Sequence, residues 1–138
     1  MDNALYQTLA LAALAGFLVA GAIALRNRPQ TPAALAWLAP AGLSAALLAW
    51  SALTVAREGP IGFWPHHLQD AWGVQIWFDL LLGIGSAFAL LVPNARSVGM
   101  RPAPWLIVVA CTGSIGLLAM LSRYLFLAQA QGAARAAS

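Results

Sequence analysis

The sequence predicts an all-α protein, a four-helix transmembrane bundle running up-down-up-down with short connections. Three observations predict it. Hydrophobic residues fill 62% of the 138 positions and charged residues only 8%, against roughly 25% charge in a soluble domain. The apolar residues gather into four stretches, 5–25, 33–55, 72–92 and 104–128, each close to the ~20 residues that carry a helix across the ~30 Å hydrocarbon layer of a bilayer. The stretches are joined by short connections, which favour antiparallel neighbours. They leave no room for a second domain, so 1–138 reads as a single transmembrane domain.

The first stretch is rich in Ala and Leu and could be mistaken for a secretion signal. Its leader carries Asp2 and no basic residue, and the positive charges follow the stretch at Arg26 and Arg28. A signal peptide has the opposite order, so a retained helix is expected. The second stretch follows Pro29 and Pro32 and contains Pro40, whose ring removes a backbone hydrogen bond and should kink the helix. The third follows a loop broken by Gly59, Pro60 and Pro65, and Asp70 stands where a side chain caps a helix start. Pro93, Pro102 and Pro104 bracket the last connection, and 104–128 reads as one continuous helix.

Each stretch bears small or polar residues at helical spacing: Thr8, Ala12, Gly16 and Ala20; Pro40, Ser44, Ser51 and Thr54; Asp79, Gly83 and Ser86; Thr112, Gly116, Ala119 and Arg123. Lipid tails are as apolar as leucine, so helices in a membrane associate through close backbone approach and interhelical hydrogen bonds. These stripes are expected to face inward. Cys111 is the only cysteine, lies mid-span, and reads as a small packing residue.

All seven basic residues are Arg, and with four carboxylates the net charge is +3. No contiguous basic surface exists to neutralise phosphates, so no nucleic acid is expected as a partner. The arginines instead select topology. Arg26 and Arg28 lie in the first connection and Arg96 and Arg101 in the third, while Arg57, Arg123 and Arg135 fall on the other side. That count puts the two short connections in the cytoplasm of a bacterial inner membrane, with both termini and the middle loop periplasmic.

Asp79 and Arg123 lie inside spans, where a mid-bilayer charge costs at least ~2.5 kcal/mol by insertion scales. If the third helix enters from the outer face and the fourth returns to it, the two fall at similar depth, and an intramembrane ion pair between Asp79 and Arg123 is expected. The middle loop holds His66 and His67 near Glu58 and Asp70. Adjacent histidines on a helix point apart, and only Asp70, four residues from His66, offers a further ligand. No metal site is predicted, and the two histidines are kept as minor candidates for ligand contact. Trp37, Trp50, Trp64, Trp72, Trp77 and Trp105 suit an interfacial aromatic belt or contacts to a partner, lipid, quinone or pigment. There is no glycine-rich phosphate loop, nucleophile elbow, CxxC pair or HExxH, and hence no catalytic set.

From Phe78 onward the chain contains the runs F-D-L-L-L-G-I-G-S-A-F-A-L-L, A-R-S-V-G-M-R-P-A-P-W-L and G-S-I-G-L-L-A-M-L-S-R-Y-L-F-L. Over 72–127 it resembles a bacterial family of small integral-membrane proteins of unknown function, sometimes loosely labelled terpene-cyclase-like. The sharpest shared elements are Asp79, the turn from Arg96 to Arg101, and Arg123. The chain departs from that family at Asn94, Ala95, Arg96 and Ser97, where the family has an acidic residue and a basic doublet. The resemblance implies no established activity. A cyclase would need a carboxylic acid in an apolar pocket to protonate an isoprenoid double bond or epoxide, and only Asp79 could serve.

The sequence therefore favours a non-catalytic accessory subunit that packs in the bilayer against a larger membrane complex, photosynthetic or respiratory. No intrinsic cofactor is expected, and contact with a partner's lipid, quinone or pigment is the nearest prospect. The alternative is a small membrane enzyme or carrier acting on an isoprenoid, quinone or other lipid. A channel would need more pore-lining polar residues than Ser44, Ser51, Thr54, Ser86 and Thr112 supply.

Overall fold

The computed structural model describes residues 3–26 and 35–136. Every regular element among them is helical: α1 (Asn3–Arg26), α2 (Leu38–Glu58), α3 (Phe63–His67), α4 (Ala71–Ser97), α5 (Pro102–Thr112) and α6 (Ser114–Ala136). The chain divides into two compact units, Met1–Thr31 and Pro32–Ser138. Three helices, α1, α2 and α4, are long and apolar enough to cross a membrane, and α5 is a shorter apolar helix.

The first unit is α1. Its 24 residues contain no proline, and at 1.5 Å per residue they extend about 36 Å, more than the hydrocarbon layer needs. The Thr8 hydroxyl donates to the Ala4 carbonyl at 2.8 Å, so this polar group is satisfied on its own helix, as lipid requires. Its described side chains are exposed along the whole length.

The second unit opens with a turn at 35–37 in which Leu35 adopts φ +72°, a left-handed conformation that costs a leucine about 1–2 kcal/mol. The helix begins only at Leu38, so Pro40 falls in the first turn of α2, where no intrahelical bond needs its missing N–H. The expected mid-helix kink is therefore absent; the second stretch starts later than residue 33 and runs on to Glu58. Prolines 29 and 32 lie outside the described residues.

Asp70 caps α4 as its position suggested, accepting from the Gly73 N–H at 2.8 Å. The helix then continues through Pro93 for 27 residues. It ends where Gly99, at φ +81°, donates to the Arg96 carbonyl and Met100 to that of Ala95, both at 3.0 Å. That pair of bonds is a Schellman stop.

The largest departure from the sequence reading is in the last stretch. Residues 104–128 are not one helix: Gly113, at φ 59° and ψ −127°, divides them into α5 and α6. The chain folds back on itself there. A Cβ added at Gly116 would lie 3.0 Å from the carbonyl carbon and oxygen of Val108, although a straight helix would separate residues 108 and 116 by about 12 Å. Glycine at 116 thus lets two backbones touch, and Gly113 supplies a conformation that other residues resist. The Thr112 hydroxyl, bonded to the Val108 carbonyl at 2.7 Å, fills the elbow.

The hairpin makes α6 the centre of this unit, with α2, α4 and α5 packed around it. Ser44 donates to the Ile115 carbonyl at 2.9 Å and Ser122 to the Trp37 carbonyl at 3.0 Å, so α2 and α6 run antiparallel. A Cβ at Gly113 would lie 3.5 Å from Ile84 Cδ1, and Gln131 Nε2 donates to the Val98 carbonyl at 3.3 Å. Both helices advance in the same sense between those contacts, so α4 and α6 are parallel. Consecutive helices of this unit still alternate in direction, but the last stretch supplies two of them, so α6 ends at the opposite end of the unit from α3.

The buried core consists of Leu91, Ala95, Val98, Met100 and Met120, flanked by Phe88, Trp105, Leu117, Leu121, Tyr124, Leu127 and Ala128. It sits where α4 ends and the hairpin opens. Towards α3, the later part of α2 and the earlier part of α4 extend past the elbow at Gly113 and do not pack on each other.

Candidate functional site

Asp79 is an exposed side chain nine positions into α4. Its carboxylate takes one long hydrogen bond, 3.4 Å, from Gln75 Nε2. Trp72, Gln75 and Asp79 share a face at i, i+3 and i+7 spacing and, with Ala71, line an open groove of about 470 Å³. Trp72 is 77% exposed.

The expected Asp79–Arg123 ion pair does not form. His66 and Glu58 form a charged pair at 3.9 Å, which is ionic only when the imidazole is protonated. The cause is the elbow. Asp79 lies five residues before Ile84, and Arg123 ten residues after Gly113, on parallel helices that meet at Ile84 and Gly113. Rise per residue places the two side chains about 20 Å apart along the bundle. Arg123 instead lies level with Trp37, its guanidinium carbon 5.8 Å from the centre of the Phe126 ring, a cation–π contact.

A second cluster stands beside the groove. Phe63 stacks on Trp77 with centroids 5.9 Å apart, and Trp64 and His67 meet the same indole edge-on at 6.3 and 5.2 Å. His67 Nδ1 lies 2.7 Å from the Phe63 carbonyl, while His66 turns to Glu58. The histidines therefore point apart, and among the described residues no three metal-ligating side chains converge. Close approach at Gly73, where a Cβ would come within 2.7 Å of the His67 carbonyl oxygen, presses α3 onto the start of α4. The product is a rigid aromatic cap at the end of two apolar helices.

The six tryptophans separate into two groups. Trp37 packs edge-on against Phe126 at 5.6 Å, Trp77 anchors the cap, and Trp105 lies against the core. Trp50, Trp64 and Trp72 remain exposed and available to lipid or a partner. Sequence reasoning missed Gln75, although its i, i+4 spacing to Asp79 was readable, and missed the Phe63–His67 pair at the same spacing.

The arrangement is a carboxylate and an amide on an exposed face of an apolar helix, next to aromatic rings. The described residues assemble no nucleophile with a base. No protein-family model, curated protein or solved structure matches the chain, so the geometry alone bears on function.

Proposed function

We propose that this chain is an integral protein of the bacterial inner membrane that serves as a non-catalytic accessory subunit of a larger membrane complex, photosynthetic or respiratory. One observation carries the reading: Asp79 and Gln75 sit on an exposed face of an apolar span, and Asp79 has no ion-pair partner among the described residues. Ionisable groups within spans almost always face protein or water rather than lipid, and an accessory subunit would meet that requirement by turning this carboxylate to its partner complex. The exposed Trp50, Trp64 and Trp72 add large, rigid contact surface around it. Extraction in mild detergent followed by native electrophoresis is expected to place the chain in a band much larger than its 14.4 kDa. Asp79→Asn is expected to release it from that band at unchanged expression. A lone small species under every condition overturns the reading.

The same proposal includes a topology. Arg96, Arg101, Arg123 and Arg135 gather at one end of the second unit, and the positive-inside rule assigns that end to the cytoplasm. The C-terminal end of α6 is then cytoplasmic and α3 periplasmic. Single cysteines at Gln131 and at Leu68 are expected to label from opposite sides of the membrane; labelling from one side overturns this arrangement.

The alternative is a carrier or enzyme for an isoprenoid, quinone or other lipid, supported by an exposed carboxylate beside apolar and aromatic surface. An open groove is poorly suited to cyclase chemistry, which needs its acid enclosed in an apolar pocket. That also weakens the activity label attached to the family that 72–127 resembles.

A further inference from the structure

The two ends of the second unit differ in charge as well as in packing. All three described carboxylates, Glu58, Asp70 and Asp79, lie towards the α3 end. Arg96, Arg101 and Arg123 stand exposed at the other, and none has a carboxylate within ion-pair distance among the described residues.

The hairpin register brings two of these guanidinium groups together. Gly116 touches Val108 and the helices run antiparallel. Seven residues onward along α6 is Arg123, and seven residues back, at the position that precedes α5, is Arg101, so both lie about 10 Å from the crossing in the same direction. Seven residues are close to two full turns, which returns each to the face that carries the crossing. Arg101 and Arg123 therefore flank one seam at one depth. Arg96 lies five residues before Arg101, on the far side of the turn that ends α4. Trp37 and Phe126 stand beside Arg123, at the level where α2 begins.

We infer that Arg101 and Arg123, supported by Arg96, form a binding site for the phosphate of an anionic phospholipid headgroup at the mouth of the α5–α6 hairpin. Two planar guanidinium groups match phosphate oxygens in forked geometry. The depth, at the end of apolar helices and next to aromatic rings, is that of the headgroup layer. The missing counter-charge is supplied by the leaflet. This inference rests on the bilayer environment and is independent of the subunit proposal.

The test uses the full chain reconstituted with mixed phosphatidylglycerol and phosphatidylcholine, then extracted, with retained lipid measured by native mass spectrometry. Phosphatidylglycerol is expected to be retained in preference. Arg101→Gln and Arg123→Gln should each lower that preference about fivefold, and the pair about thirtyfold, at roughly one surface charge's worth of attraction each. Arg57→Gln, at the other end, should leave it unchanged. The paired lysine substitutions should keep a part of it that the glutamine pair loses, the part due to charge rather than to the forked guanidinium geometry. In the unaltered protein, high salt should abolish the preference. An unchanged preference in the glutamine pair, or indifference to salt, overturns the proposal. So does displacement of the lipid by an equal concentration of inorganic phosphate, which would mark a site for a soluble anion.

Discussion

The two halves of α4 belong to one unbroken helix yet live in different surroundings. The later half buries Leu91 and Ala95 against Met120 in the core, while the earlier half, through Ile76, Asp79 and Leu82, is exposed on most sides. Composition does not separate them, since both are apolar. What separates them is the reach of α6, which begins level with Ile84 because the chain turns back at Gly113. A helix half gains a protein neighbour only where the hairpin extends, and beyond that point it offers its surface to whatever else occupies the membrane. Structural weight is thus concentrated at the arginine end and the candidate binding surface at the α3 end.

That comparison can be broken most directly at Met120, which is fully buried. Met120→Ala is expected to destabilise the second unit by about 2–4 kcal/mol, read as a fall in thermal midpoint in detergent. No loss would mean that the core does not hold the hairpin to α4. Gly116→Val comes next. Its added side chain meets the Thr112 hydroxyl oxygen at 2.7 Å and the Val108 backbone at 3.0 Å, and overpacking of that kind costs about 1–3 kcal/mol. It should also separate α5 from α6, measured as reduced crosslinking between cysteines at Trp105 and Met120. Gly113→Ala, which forces a Cβ into a sparsely populated conformation at positive φ, is expected to cost about 1–3 kcal/mol. Trp77→Ala should leave the unfolding midpoint nearly unchanged and increase proteolysis within 59–70, because its rings hold α3 and not the core. Smallest of all, Leu82→Ala, at a position 69% exposed, should shift stability by under about 0.5 kcal/mol. A large effect there would show that the open half is packed after all.

Much of the helical content was legible because hydrophobic length is a local property. The spans at 5–25 and 72–92 lie within α1 and α4, and the Asp70 cap follows from one side chain and the next turn. Pro40 misled because its effect depends on its distance from the helix start, which a Leu35 turn contacting Gln129 sets from far along the chain. The Asp79–Arg123 pairing misled for a related reason: it assumed a direction of travel for the last helix. Gly113 and Gly116 were visible, but glycine is common in membrane helices as a packing residue, and nothing adjacent distinguishes a packing glycine from an elbow.

By itself, the sequence determined an all-helical chain suited to lipid, the number of long apolar helices to within one, and the residues able to carry charge there. These depend on composition and on spacing within a single helix. The tertiary structure decided which charges meet, which end of the second unit is packed, and where its C-terminal helix emerges. One residue at positive φ reverses a helix, and a reversal displaces every later side chain by tens of ångströms while leaving local hydrophobicity unchanged.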